Sequence, residues 1–319
     1  MRIVMLGGSG FVGHHLAYLL SQRGHRITIL TRQAADHRDL LLIPGVTVRQ
    51  ADVYSEPALA EHFSSSDAVI NLVGILNERG FGGRGFHRAH VTLTEHVIAA
   101  CQATGVSRLL QMSALRAGEG RSHYLRSRGE AEARVKAAGA AGDIAYTLFQ
   151  PSVIFGRGDS FINRFAGLLK ISPLLPLARA SARFQPVWVA DVCQAFATAL
   201  EQPSTIGKTL PLVGPKTYSL AEIVRYTAAQ LGLRRMIVPL PDFLARVQAA
   251  LMDFVPGKPF SSDNYRSLLI DSISQENGLL ELGIEPTAME QIVPHYLHQG
   301  NHQRRLDRYR QQAGREWQP

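Results

Sequence analysis

The stretch RIVMLGGSGFVGHHLAYLL at residues 2–20 decides the fold of this chain. Its apolar residues 2–6 predict a buried strand, a glycine-rich turn follows at once, and residues 11–23 have the pattern of a helix. Glycines let backbone N–H groups approach a phosphate closely, and the positive end of the helix compensates the phosphate charge. The order of strand, turn and helix therefore predicts a dinucleotide site, with candidate binding residues Gly7, Gly8, Ser9, Gly10, Phe11, Val12 and Gly13.

Strands and helices continue to alternate through the first half of the chain. Apolar, β-branched runs predict strands at 26–31, 46–50, 67–73, 108–112 and 144–149, and helical spacing predicts helices at 56–63, 86–104 and 124–139. Continuous apolar strands separated by amphipathic helices imply a parallel sheet covered on both faces. The predicted fold class is α/β, a doubly wound parallel sheet of the Rossmann type.

The alternation breaks after Gln150. Glycine and proline punctuate the chain to about residue 183, and further strand–helix units follow at 184–201 and near 209–232. We expect residues 1–150 to form the dinucleotide-binding core, and residues 151–319 to add the remaining sheet elements, interleaved with a smaller cap and a basic tail. Ligands are expected between the sheet and this cap.

The end of the second strand bears on the choice of nucleotide. Arg32 stands where an NAD-binding fold normally has an acid for the ribose 2′-hydroxyl, and a guanidinium can pair instead with a 2′-phosphate. Arg38 is close enough in sequence to assist. NADP(H) is therefore expected in preference to NAD(H). The alternative is that Arg32 is a solvated strand end in an arginine-rich protein.

Two further strand ends supply candidate cofactor contacts. Asp52 and Val53 follow the third strand, where a carboxylate can accept a hydrogen bond from the adenine amino group. Asn71, Val73 and Gly74 end the fourth strand, where small residues would pass under the nicotinamide ribose. Their spacing behind the glycine turn agrees with a dinucleotide site.

Composition excludes several other classes of protein. With 319 residues, 45% of them apolar and 19% charged, the chain is globular, and a mean hydropathy of -0.03 without a long apolar run excludes a spanning helix. The net charge of +8 is spread evenly along the chain, so no nucleic-acid partner is expected. Cys101 and Cys193 lack disulfide or zinc spacing, and the twelve histidines show no metal-ligand spacing. A cytoplasmic location is expected, since nothing before the first strand has the pattern of a targeting segment.

Seven motifs together resemble the short-chain dehydrogenase/reductase superfamily. Within it they are most similar to the atypical branch that contains the nucleotide-binding accessory subunit of respiratory complex I and its bacterial relatives. The motifs are GGSGFVG at 7–13, LTR at 30–32, NLVG at 71–74, MSAL at 112–115, SHYLRSRGEAE at 122–132, PSVIFGRGD at 151–159 and FQPVWVADV at 184–192. The resemblance covers most of the chain and implies a link to quinone metabolism or to a respiratory complex.

The resemblance implies a catalytic set of Ser113, Tyr124 and Arg128, and places Tyr124, Arg128 and Pro151 at the cofactor. Arg128 occupies the position of the superfamily's lysine. The expected chemistry is protonation of a carbonyl by the tyrosine as a hydride arrives, with the neighbouring cation lowering a phenol pKa that starts at about 10. Arginine keeps its proton and cannot relay one, so weak or absent turnover is expected.

Arg128 also leaves two alternative functions open. The chain has far more arginines than lysines, so composition alone can account for an arginine at this position. A competent NADPH-dependent reductase or dehydratase of a hydrophobic carbonyl compound is one alternative, and a non-catalytic assembly module is the second. The interval between Ser113 and Tyr124 is short for sugar-nucleotide epimerases, as the superfamily resemblance implies, so sugar nucleotides are discounted.

Two apolar segments of the second half have helical spacing. Phe243, Leu244, Val247, Leu251 and Phe254 are interpreted first as core, with a lipid- or quinone-facing surface as the alternative. The tail from Thr287 begins with an amphipathic run that contains Met289, Ile292, Val293, Tyr296 and Leu297, and it then becomes arginine-rich. This tail is interpreted first as a solvated helix end, with peripheral contact at the anionic inner membrane as the alternative.

Overall fold

A computed structural model describes residues 1–255, 258 and 260–297. Its strands are β1 Arg2–Leu6, β2 Arg26–Thr31, β3 Val46–Gln50, β4 Ala68–Asn71, β5 Arg108–Met112, β6 Ala145–Pro151, β7 Ile154–Phe155, β8 Leu174–Leu177, β9 Arg183–Phe184, β10 Val187–Trp188, β11 Thr209–Leu212, β12 Tyr218–Ser219 and β13 Met236–Pro239. Its helices are α1 Phe11–Gln22, α2 Glu56–Phe63, α3 Arg84–His87, α4 Leu93–Thr104, α5 His123–Ala140, α6 Phe161–Ile171, α7 Val189–Glu201, α8 Leu220–Gln230, α9 Asp242–Met252, α10 Ser262–Ser267, α11 Gly278–Glu281 and α12 Met289–Leu297. Short 3-10 helices lie at Ala34–Leu42 and Pro203–Thr205, and a π-helical turn spans Arg88–Thr92.

Seven parallel strands form the central sheet in the order β11-β6-β5-β4-β1-β2-β3. The predicted α/β fold class is confirmed. The order reverses between β1 and β4, and the register pairs Leu6 with both Leu30 and Asn71. The carboxyl ends of β1, β2 and β4 therefore lie at one level, and the crevice outside such a reversal is where open α/β sheets bind ligands.

Alternating side chains of the strands build the core on both faces of the sheet. Ile3 and Met5 face α1 and α7, while Val4 and Leu6 face the side covered by α2 and α4. Since β11 and α7 come from the second half of the chain, that half completes the sheet and its helical layer. Phe196 of α7 stacks on Phe149 of β6 with ring centroids 3.9 Å apart.

A third apolar cluster joins α6, α8 and α12 above the sheet and forms the cap. Met289, Val293 and Leu297 of α12 are buried in it, so the solvated helix end predicted for the tail from Thr287 was wrong for this first part of the tail. The arginine-rich tail from residue 298 lies outside the described residues.

The core prediction for the segment Phe243 to Phe254 was also wrong. Phe243, Leu251 and Phe254 are 73%, 66% and 79% exposed. The small side chains of Ala245 and Ala249 face the protein instead. Helical spacing predicts that a face is apolar, but it cannot tell which face meets the rest of the molecule.

Candidate functional site

The glycine turn leaves the N-terminal end of α1 open. Gly10 is the N-cap residue of this helix, and it has no side chain that could form a capping hydrogen bond. The first turn of the helix contains no acidic residue. A Cβ at Gly13 would overlap the backbone of Gly8, so the turn and the helix approach more closely than any side chain allows. The first N–H groups of α1 therefore keep the free donors and the close approach that a pyrophosphate requires.

A loop after β7 lies against this turn. The ring of Phe11 packs beside Gly156 and Gly158, and Nε2 of His15 donates to the carbonyl oxygen of Arg157 at 3.2 Å. Asp159 holds this loop in place, because its buried carboxylate accepts hydrogen bonds from the amides of Gly156 and Ile162 at 3.2 and 2.6 Å. Burial raises the pKa of this carboxyl. The sequence marked this segment as a motif but gave no role to Asp159.

Two exposed arginines follow the end of β2, at the edge of the crevice. Arg32 directly follows β2 and Arg38 lies in the 3-10 helix, and both are exposed. Within the described part of the chain, no carboxylate lies within ion-pair distance of either guanidinium. Asp52 is exposed and accepts from the amide of Tyr54 at 3.0 Å, and Val53 is buried beneath it.

The end of β4 meets α5, the helix that carries Tyr124 and Arg128 of the predicted catalytic set. Asn71 is buried, and its Oδ1 accepts from the amide of Val73 at 3.1 Å. The carbonyl oxygen of Val73 in turn accepts from Nη1 of Arg128 at 3.3 Å. A Cβ at Gly74 would overlap Nη2 of Arg128, so this position accepts only glycine while the arginine keeps its place.

Ser113, Tyr124 and Arg128 come together at the carboxyl end of β5. Arg128 is buried, and its Nη1 also donates to the carbonyl oxygen of Met112 at 3.0 Å, next to Ser113. Its guanidinium carbon lies 5.7 Å from the centre of the half-buried Tyr124 ring. The Oγ of Ser113 is buried without a hydrogen-bond partner among the described residues. Pro151 is buried nearby, and its carbonyl oxygen accepts from the amide of Leu115 at 2.9 Å.

His90 belongs to this cluster, although no sequence pattern singled it out. It lies in the π-helical turn and is 1% exposed. Its Nε2 accepts from the amide of Ile75 at 3.2 Å, so Nδ1 carries the hydrogen and donates to Oγ of Ser127 at 2.8 Å. Ser127 donates to the carbonyl oxygen of Tyr124 at 2.9 Å, and the imidazole packs edge-on against the tyrosine ring at 5.7 Å.

This histidine is neutral in the folded protein. Burial, with a smaller contribution from the positive charge of Arg128, lowers the pKa of His90 from 6.5 to about 2. π-Helical turns within helices often occur at functional sites. Here the turn places a neutral imidazole where it joins the loop after β4 to the helix of Tyr124.

Asp263 holds the same helix from the cap. Its Oδ1 accepts from the amide of His123 at 2.6 Å, and its Oδ2 accepts from the amide of Tyr124 at 3.1 Å. A carboxylate at this end of α5 pairs free N–H groups and compensates the helix dipole. The contact joins residues 140 positions apart, so no local sequence pattern could have indicated it.

The described residues fit a nicotinamide dinucleotide. The uncapped N-terminal end of α1 would accept the pyrophosphate, and the carboxyl ends of β1, β2 and β4 lie at one level beside it. The Oγ of Ser113 is buried and has no hydrogen-bond partner among the described residues. A bound ligand would supply the missing partner. Tyr124 is half-buried, whereas Ser113 and Arg128 beside it are buried.

A family model described as "NAD dependent epimerase/dehydratase family" matches residues 3–220. The chain belongs to this family, and the predicted relation to dehydrogenase/reductase proteins is confirmed. Family membership implies that the chain binds a nicotinamide dinucleotide. The chain is 29% identical over 297 residues to NADH dehydrogenase (ubiquinone) 1 alpha subcomplex subunit 9, mitochondrial, of Mus musculus, across 90% of this chain and 77% of that protein.

A second relative is an enzyme by name. The chain is 28% identical over 255 residues to ceramide reductase of Caulobacter vibrioides, across 79% of this chain and 77% of that protein. Among solved structures, UDP-glucose 4-epimerase of Thermotoga maritima superposes with a TM-score of 0.76, at 14% identity, over 95% of this chain and 99% of that one. That likeness shows the shared fold alone. No helix of the described residues has the length and apolar character needed to cross a membrane.

Proposed function

We propose that this protein binds NADPH in preference to NADH and has weak or no reductase turnover, so that the nucleotide serves slow chemistry or structure. The observation that carries the proposal is the place of the Arg128 guanidinium. It is buried and donates to two carbonyl oxygens, those of Val73 and Met112. These hydrogen bonds keep the guanidinium beneath the loop after β4, where an arginine does not relay a proton as a lysine can.

The consequence concerns the proton on Tyr124. A bound nicotinamide would supply hydride to a carbonyl carbon, while the phenol Oη gives a proton to the carbonyl oxygen. Arginine at position 128 cannot pass a proton from solvent to the tyrosine. Tyr124 can therefore give its proton, but its reprotonation is slow.

The preference for NADPH rests on Arg32 and Arg38. Both guanidinia are exposed beside the end of β2 and lack an ion-pair partner among the described residues. A 2′-phosphate offers charge-assisted hydrogen bonds to either of them, and a ribose hydroxyl does not.

The relatives support a proposal for the biological setting. Similarity to a subunit of a ubiquinone-linked NADH dehydrogenase supports a role in quinone metabolism or in association with a respiratory complex. A quinone-like or lipid compound is the proposed substrate class, since a second relative is named for a ceramide. The proposed location is cytoplasmic, with peripheral contact at the inner membrane.

A competent NADPH-dependent reductase of a hydrophobic carbonyl compound is the second candidate. The unpartnered Oγ of Ser113 favours it, because a carbonyl oxygen would complete that hydroxyl's hydrogen bonding. In this case Ser113 orients the carbonyl and Tyr124 protonates it. A non-catalytic assembly module is the third, and it leaves Ser113 Oγ without a ligand to pair with.

NADPH oxidation separates these candidates. The protein is saturated with NADPH and mixed with quinone-like, ceramide-like and other hydrophobic carbonyl compounds, alongside Arg128→Lys and Tyr124→Phe. The proposal expects slow oxidation that Arg128→Lys accelerates. Fast wild-type oxidation that Tyr124→Phe abolishes would instead establish the competent reductase. Inactivity of both wild type and Arg128→Lys would favour the assembly module.

A further inference from the structure

The outer face of α9 is apolar although it faces solvent. Phe243, Val247 and Leu251 recur every four residues and are exposed, and Phe254 continues their line beyond the helix end. The inner face is made by Ala245 and Ala249. An ordinary surface helix turns its large apolar residues inward, so the polarity of α9 is reversed.

A second segment extends this apolar area. Phe81, from the loop after β4, is 61% exposed, and its ring centroid lies 5.7 Å from that of Phe254. Nζ of Lys258 lies 4.3 Å above the Phe81 ring. We call the group Phe81, Phe243, Val247, Leu251 and Phe254 the α9 surface. Contiguous exposed apolar areas of this kind mark interaction sites.

The rest of the chain offers little to cover it. Residues 256, 257, 259 and 298–319, which the structure does not describe, contain only three large apolar residues, Leu306, Tyr309 and Trp317. That sequence lacks an apolar stripe that would match the α9 surface. The occupant is therefore sought outside this chain.

Charge at the Phe81 end indicates what the occupant is. Exposed Arg79 and Arg84 flank Phe81 in sequence, and no carboxylate of the described residues lies within ion-pair distance of either. The acids of this region are engaged in hydrogen bonds within the protein. Glu78 accepts from the amides of Gly83 and Gly85 at 2.6 and 2.7 Å. The carboxylates of Asp253 and Asp263 likewise accept hydrogen bonds from backbone amides.

We propose that the α9 surface docks on an anionic phospholipid bilayer. Its phenylalanines and leucine enter the boundary between headgroups and acyl chains, while Arg79, Arg84 and Lys258 meet the phosphates. A bilayer offers the apolar and anionic layers side by side, which is the arrangement of this surface. A second copy of this chain would bring the same arginines together instead.

Docking here also places a cleft of about 230 Å³ at the membrane. Phe81 of the α9 surface lines this cleft together with Lys258, Phe86 and His123. Phe86 packs 6.1 Å from the Tyr124 ring. This step rests on the proposed function, because it supplies an amphiphilic carbonyl compound from the bilayer to the tyrosine.

Vesicle flotation with the full-length protein tests the docking without any turnover. Wild type is mixed with vesicles of phosphatidylcholine, alone or with phosphatidylglycerol, and the floated fraction is measured. Phe243→Ser with Leu251→Ser removes apolar contacts, and Arg79→Gln with Arg84→Gln removes charge. Leu41→Ser with Leu42→Ser is the matched control, since these leucines are 57% and 84% exposed on the 3-10 helix. NADPH binding and melting temperature are recorded for every variant.

Wild type and the leucine control are expected to float with the phosphatidylglycerol vesicles. The Phe243/Leu251 variant should partition at least roughly tenfold less, and each arginine removed should weaken partition roughly fivefold. NADPH binding should stay unchanged, which separates this proposal from the nucleotide site. Failure of wild type to float, or equal flotation of the Phe243/Leu251 variant, would overturn it. So would a wild-type dimer that the same variant converts to a monomer, because the occupant would then be a second copy.

Discussion

At the scale of single residues, the nucleotide site depends on what stands at the end of β2. Arg32→Ala should weaken NADPH binding by about 1.5 to 3 kcal/mol, the value of a hydrogen bond to a charged group, and leave NADH binding nearly unchanged. Dissociation constants for both nucleotides measure this. Because Arg32 is exposed, melting without ligand should hardly move. Equal losses for both nucleotides would place the guanidinium at the shared part of the cofactor instead.

Gly74 and Arg128 form a second pair at this scale. Gly74→Ala brings a Cβ into the space of Nη2 of Arg128, so the guanidinium must leave the carbonyls of Val73 and Met112. We expect a loss of about 2 to 4 kcal/mol in unfolding free energy, since a charge loses its buried hydrogen bonds. Denaturant unfolding measures it. Gly80→Ala is the control, because its Cβ would meet no atom within 4 Å. Similar losses of unfolding free energy in Gly74→Ala and Gly80→Ala would show that a Cβ at position 74 does not displace the guanidinium of Arg128.

His90 makes stability depend on pH. Its pKa is about 2 in the folded protein, whereas an unfolded histidine titrates near 6.5. Below about pH 6.5, His90 becomes protonated in the unfolded state but stays neutral in the folded state. The free energy of unfolding therefore falls by up to about 1.4 kcal/mol for each pH unit. His90→Gln should flatten this acid-side slope between about pH 6.5 and 5, measured by unfolding at each pH. His62→Gln, on the α2 surface, serves as the control. A slope in His90→Gln as steep as in wild type would contradict the assignment.

At the scale of elements, α5 is held from both sides. His90 and Ser127 tie its first turn to the loop after β4, and Asp263 ties its amides to α10. The cap therefore contributes to the position of Tyr124, although it lies far away in sequence. Movement of α10 would free the amides of His123 and Tyr124.

Asp263→Asn tests this connection. The substitution keeps the shape of the side chain but removes the charge, and one amide loses its acceptor. We expect a stability loss of about 1 to 3 kcal/mol by thermal or denaturant unfolding. Any NADPH turnover should fall in kcat, because Tyr124 is displaced. Glu61→Gln, an exposed acid on α2, controls for charge alone. An Asp263→Asn protein as stable as that control would show that α10 does not hold the helix.

At the scale of the whole molecule, the sheet followed closely from the sequence. The predicted strands at 2–6, 26–31, 46–50 and 108–112 coincide with β1, β2, β3 and β5. β1, β2 and β5 are predictable because buried parallel strands are largely apolar runs. β3 is a mostly exposed edge strand, and its β-branched residues indicate it instead. The strand predicted at 67–73 is shorter, since Asn71 already turns its side chain to the amide of Val73.

The features that sequence could not supply depend on contacts between distant segments. The π-helical turn within the helix predicted at 86–104 places His90, and Asp263 reaches α5 from the cap. The large apolar residues of α9 face outward because the other face of the helix fits the cap. Ala245 and Ala249 on that face pack more closely against the protein than Phe243 or Phe254 could. The division at residue 150, which falls within β6, stays a prediction.

The proposed function of the whole molecule requires that it binds NADPH. Fluorescence titration of the purified protein with NADPH and with NADH measures this binding. We predict saturable, micromolar binding of NADPH and weaker binding of NADH. Absence of micromolar binding by either nucleotide would contradict this claim.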